Sequence, residues 1–287
     1  MINQKINFKS QREIGEILSD TFKFIRLEYK GLFKALMRNA GIPFLILLAA
    51  TGYYAATATD FNFLATGGAF AAGGIVLGLS ILGIATMLYY GFMFGTVLHY
   101  IKNYIEGPTS IDQQLISKNV RSDLGSIIGL TILSFLMTII GFMLCFLPGV
   151  YLFVPLTLVY ALYIFRNLSV GNSITESFSL VKNEWWSTFF AFIVIYIIVY
   201  LIGLVFQIPL LIYTFFSAFT KSQEVSGGDM SQVFDWVYVT LNVISSAASY
   251  LFYTIVVIAS AFIYFNLNEK KNQTGTLERI DSIGNDL

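Results

Sequence analysis

The chain alternates between long uninterrupted apolar runs and short polar connectors. The runs cover about 41–58, 69–101, 124–146, 150–165, 187–219 and 233–267. Each is close to or longer than the roughly 20 residues that a helix needs to cross a ~30 Å hydrocarbon core. They are continuous and do not alternate with polar residues, which argues for helices and against an outer-membrane-type barrel. The run 69–101 would be roughly 50 Å long as a helix, so it must tilt or continue past the bilayer. The third span is expected to turn at Leu147-Pro148-Gly149. Pro155 is expected to kink the fourth, and Pro209 lies inside the fifth. A loop around Asp60 follows the first span, which has Pro43 near its start. The polar stretch KSQEVSGGDMSQ separates the last two. The predicted fold is all-α: a polytopic membrane protein with six transmembrane helices.

Before the first run the pattern changes from continuous to periodic. Ile14, Ile17, Leu18, Phe22, Ile25 and Tyr29 fall at helical spacing on one face, with Arg12, Glu13, Glu16, Asp20, Lys23, Arg26 and Lys30 on the other. This describes an amphipathic helix lying at the membrane interface. The stretch 14–33 recurs at 170–189 without a gap, with Gly15/Gly171, Phe22/Phe178, Glu28/Glu184 and Phe33/Phe189 identical. Residues 102–123, with Pro108 as a helix start and apolar positions at Ile111, Leu115, Ile116 and Val120, form a degenerate third copy. Each copy precedes two apolar runs. The expected plan is therefore one membrane domain, 1–267, of three parallel units (12–101, 108–166 and 170–267), each an interfacial helix followed by a transmembrane hairpin. Residues 268–287 are expected to be a disordered polar tail.

Composition agrees with the pattern: 56% of residues are hydrophobic and only 12% charged, against about 25% charged in soluble proteins. The net charge of zero gives no sign of a nucleic-acid partner. The distribution of charge says more. With six spans, sixteen of the seventeen Lys and Arg residues fall on the side of the two termini and only Lys221 on the other, which predicts cytoplasmic N- and C-termini. The polar and amphipathic segment before the first run is too long for a signal peptide's n-region, so no cleavage is expected. Gly74-x-x-x-Gly78 and Gly91-x-x-x-Gly95 allow close helix packing, within the bundle or between copies. Cys145 is the sole cysteine, so an internal disulfide is excluded.

The run from Pro148 to Phe189, PGVYLFVPLTLVYALYIFRNLSVGNSITESFSLVKNEWWSTF, resembles the bacterial families grouped around the glycerophosphoryl diester phosphodiesterase membrane domain. The opening REIGEILSDTFKFIRLEYKGLF resembles the start of the same proteins, so the likeness spans most of the chain. It implies a six-span integral protein of a bacterial inner membrane. It transfers no catalytic residue, because in the namesake fusions the phosphodiesterase domain is separate from the membrane part.

Chemistry is sparse. His99 is the only histidine, and a Ser-His-acid arrangement would require it to meet an acid across the bundle. No Walker loop or dinucleotide fingerprint occurs. The apolar cores of the spans lack Asp, Glu, Lys and Arg, unlike most ion-coupled transporters. No catalytic residue, cofactor or metal ligand is assigned. Two sets of candidates remain. The first is a lipid or partner collar of Arg26, Glu28, Tyr29, Lys182, Glu184, Trp185 and Trp186, in which the two glutamates either fix the angle between surface helix and span or serve docking. The second is the polar pair Gln207 and Asn242, which either bond between helices or line a groove. The expected function is a non-enzymatic inner-membrane scaffold or accessory subunit that contacts anionic lipid, with a protein partner or a second copy as further candidates. The alternative is a channel or flippase-like path for lipid or a small uncharged solute.

Overall fold

A computed structural model describes residues 5–58, 69–107, 111–220 and 234–285. The loop at Asp60, the helix start at Pro108 and the polar stretch 221–232 lie outside the described residues. Among those described there are nine helices and no strand. In order they are α1 (Ile14–Ala58), α2 (Ala69–Glu106), α3 (Gln113–Leu144), α4 (Phe146–Thr157), α5 (Val159–Arg166), α6 (Val170–Val181), α7 (Trp185–Thr220), α8 (Trp236–Asn272) and α9 (Thr274–Asn285). With α4 and α5 taken together, six helical stretches are long and apolar enough to cross a membrane. The protein is an all-α polytopic membrane protein.

Three sequence expectations change. First, 14–33 is not a separate interfacial helix, because α1 continues unbroken through Pro43 to Ala58. The third copy likewise merges into α3, whose start is capped by Asp112, accepting from the amides of Gln114 and Leu115. Only the copy at 170 stands alone. Ser169 caps α6, and α6 ends before Glu184, whose amide closes a tight turn onto the Val181 carbonyl. Asn183, a poor helix former, occupies the position of Leu27 in the first copy. Second, the turn of the middle hairpin comes earlier than Leu147: a single extended residue, Cys145, joins α3 to α4. The expected break near Pro155 is present, with Leu158 between α4 and α5 donating only to the Pro155 carbonyl. Third, the tail is helical, for α8 runs on to Asn272 and Gln273, at φ 50°, turns the chain into α9.

The chain divides into two compact units, each described by itself. One comprises Met1–Ala40, Gly91–Ile197 and Thr254–Leu287. Its core is aromatic. Phe8, only 1% exposed, stacks on Phe262 at 4.2 Å and meets Phe24, Tyr104 and Phe265 edge-on. Small residues seat the neighbouring helices. A Cβ at Gly91 or Gly95 would press on Ile128 or Ile127 of α3, so this glycine pair serves packing within the chain. The other unit comprises Gly41–Tyr90 and Ile198–Tyr253. There Phe44 packs on Tyr89, the Thr51 and Tyr250 hydroxyls meet at 3.1 Å, and Ser245 donates to the Phe206 carbonyl at 3.0 Å.

Candidate functional site

The first copy of the repeat uses two sides of α1 for different purposes. Ile17, Thr21, Phe24, Leu32 and Ala35 are buried in the core. This corrects the expected division of faces, since Ile17 is buried in protein and Phe22 and Tyr29 share the exposed side with Lys23, Arg26 and Lys30. Both sides carry apolar residues, so periodicity alone did not separate the one that meets protein from the one left free. On the free side Phe22, Tyr29, Phe33 and Met37 alternate with Lys23, Arg26, Lys30, Lys34 and Arg38, all exposed. None of these five cations has a carboxylate partner among the described residues, and Lys30 lies over the Tyr29 ring. No exposed carboxylate interrupts the face from Thr21 to Thr57.

Glu28 belongs to the inner side. Its carboxylate accepts a 2.6 Å hydrogen bond from the Tyr100 hydroxyl of α2, and Gly31, one turn on, leaves no room for a Cβ beside that hydroxyl. In the second copy Glu184 takes Lys270 of α8 at 2.8 Å. Asp123, near the start of the apolar part of α3, accepts a long 3.4 Å contact from Tyr163 of α5. In each of these three cases an acid before an apolar stretch reaches a later apolar helix. This favours the fixing role for the glutamates over a docking role.

The remaining candidates separate. Arg26 and Lys182 are exposed. Trp185 is taken up internally, stacked between Tyr151 and Phe189 and donating to the Tyr151 carbonyl at 3.2 Å, whereas Trp186 is exposed. Gln207 and Asn242 are half-buried on α7 and α8, and neither makes a side-chain hydrogen bond among the described residues. His99 does meet an acid, with Nε2 2.9 Å from Asp123, while its buried Nδ1 has no partner; no serine completes a triad with this pair among the described residues.

Sequence reasoning missed a polar lock that joins the two chain ends. Asn266, Asn268 and Glu269, at the end of α8, are all buried. Asn266 accepts from the Arg12 amide, Asn268 accepts from Arg166, and Glu269 accepts from the Thr274 hydroxyl and the Gly275 amide. The Arg12 guanidinium pairs with Asp20, donates to the carbonyls of Asn7, Phe8 and Ser10, and covers the Phe262 ring. Lys9 pairs with Glu278 of α9. The signal was the cluster of polar residues around Leu267, read as the start of a loose tail when it is the end of a packed helix. A cavity of about 610 Å³ opens beside this lock, lined among others by Arg12, Glu16, Ser187, Thr188, Asn266 and Lys270.

Comparison with known proteins finds no matching family model, curated protein or solved structure.

Proposed function

We propose that this protein is a non-enzymatic scaffold or accessory subunit of a bacterial inner membrane, with both termini cytoplasmic, whose α1 face binds anionic phospholipid headgroups. The observation that carries this reading is the unbroken run of five unpaired exposed cations interleaved with exposed Phe22, Tyr29, Phe33 and Met37. Aromatic and aliphatic side chains of that kind favour the acyl boundary, while Lys and Arg snorkel towards phosphate. Each cation near an anionic surface contributes about 1 kcal/mol, weakened by salt. The one-sided placement of sixteen of seventeen basic residues supports the orientation. The likeness of 12–33 and 148–189 to the phosphodiesterase-associated membrane domains supports the bacterial assignment.

The test is purification in mild detergent from a mixed phosphatidylcholine and phosphatidylglycerol bilayer, with the retained lipid read by native mass spectrometry. The wild type is expected to hold phosphatidylglycerol in preference, and a variant with Lys23, Lys30, Lys34 and Arg38 changed to Gln is expected to lose that preference while remaining folded. Equal retention of both lipids by the wild type would refute the proposal.

A further inference from the structure

We infer that the turn between α3 and α4 ends inside the bilayer, in the acyl-chain layer of the leaflet opposite the chain termini, and does not emerge into water. From Leu124 to Phe165 the chain has no charged residue, no Asn and no Gln, and the turn lies in the middle of that stretch. The other two connections expected on the side away from the chain termini differ. Residues 59–68 include Asp60 and Asn62, and 221–233 include Lys221, Glu224 and Asp229.

The surface of the turn is apolar as well as its sequence. Met143 is 83% exposed, Leu144 77%, Phe146 69% and Leu147 74%. Four large apolar side chains at one tip form a patch that water does not favour. They continue the outward side of α3, where Phe135, Leu136, Ile139 and Ile140 are also exposed, so one occupant, lipid hydrocarbon, covers both.

Backbone polarity is the usual obstacle to ending a hairpin in lipid, because each unsatisfied amide or carbonyl costs several kcal/mol. Here part of that polarity is met, although α4 starts without a side-chain cap. One residue joins the two helices, and the Cys145 amide donates to the Gly141 carbonyl at 3.1 Å. Pro148 removes one of the amides that the first turn of α4 would leave free. Gly141 and Gly149 let the helices close on each other: a Cβ on Gly141 would lie 2.7 Å from Leu152 Cδ1 and 3.0 Å from Gly149 Cα.

Length agrees. The base of the hairpin is tied by Asp123 to His99 and by Arg166 to Asn268, in the unit that holds both chain ends. From that base, Leu124–Leu144 rises about 31 Å as a helix, which an average tilt of ~20° brings within a ~30 Å core. The apolar stretch of α2 is about 18 Å longer, at 33 residues against 21.

The native sole cysteine supplies the probe. Cys145 is exposed on the tip and can be coupled to bimane in detergent before the full chain is reconstituted into phosphatidylcholine vesicles. The expected result is strong loss of fluorescence with lipids carrying a nitroxide deep in the acyl chain, little loss with a headgroup nitroxide, and none with aqueous iodide. In unlabelled sealed vesicles a membrane-impermeant maleimide should leave Cys145 unmodified, while Ser226→Cys in a Cys145→Ala background is modified as the positive control. Quenching by iodide, or modification of Cys145 by the impermeant reagent, would show that the turn reaches water. Resistance to both lipid and aqueous quenchers would show that protein covers it. Either outcome overturns the inference.

Discussion

Residues 14–33 and 170–189 hold one pattern on two surfaces. Their inner sides agree at most positions: Thr21 and Ser177, Phe24 and Leu180, Leu32 and Thr188 are buried, and Glu28 and Glu184 each bond to the next long helix; Gly31 and the exposed Ser187 are the exception. Their outer sides do not agree. At the same register Lys23, Lys30, Lys34 and Arg38 of α1 become Ser179, Trp186, Phe190 and Val194, and only Arg26, as Lys182, keeps its charge. Packing against a neighbouring helix constrains volume and hydrogen bonding to a few residue types. An exposed side can change from ionic to aromatic without disturbing the core. What the two stretches share is therefore their packing, and what differs is the set of side chains they leave exposed.

The largest effect is expected where the first stretch packs most tightly, at Gly31. Gly31→Val should destabilise the protein by about 3 kcal/mol by driving a side chain into Tyr100, whereas Ser187→Val at the equivalent exposed position should change stability by less than ~0.5 kcal/mol. Thermal unfolding in a fixed detergent measures both, and equal effects would mean that position 31 is no more tightly packed than position 187. Next in size, Glu28→Ala leaves the buried Tyr100 hydroxyl without its acceptor, an expected loss of about 2 kcal/mol. Glu184→Ala breaks a pair whose members are each one-third exposed, so its cost should stay below ~1 kcal/mol.

Exchanging outer sides sharpens the contrast. Lys30→Trp with Lys34→Phe gives α1 the residues of the second copy and should remove most of its preference for phosphatidylglycerol, with a stability change of no more than ~0.5 kcal/mol, as read by native mass spectrometry and melting. Undiminished lipid preference would locate the headgroup site elsewhere. The smallest effect is expected from Lys182→Gln, an isolated exposed cation, which should leave both readings within ~0.5 kcal/mol of wild type.

Several features were legible from residues alone, and others were not. The helical class, the six apolar stretches and the break near Pro155 follow from run length and proline chemistry, which act locally. The candidate collar was legible as a set of residues but not as an arrangement. Trp185 and Trp186 are adjacent and chemically identical, yet one stacks on Tyr151 and the other is exposed. The pairing of Glu28 with Tyr100 joins residues 72 apart in sequence, which no local period announces. Nor did the polar residues around Leu267 declare themselves as a lock, because a buried amide or carboxylate is recognised only by its partners.

The sequence by itself determined that the chain occupies a membrane as helices, that one segment is used twice, and where basic residues concentrate. Hydrophobic length and charge act on each stretch independently of its neighbours. Only the tertiary structure decided which side of α1 is core and which is free. It also decided that the interfacial segment and first span are one helix, and that both chain ends are held by Asn266, Asn268 and Glu269. These outcomes depend on which side chains meet across the bundle, and a pattern read along one helix does not contain that information.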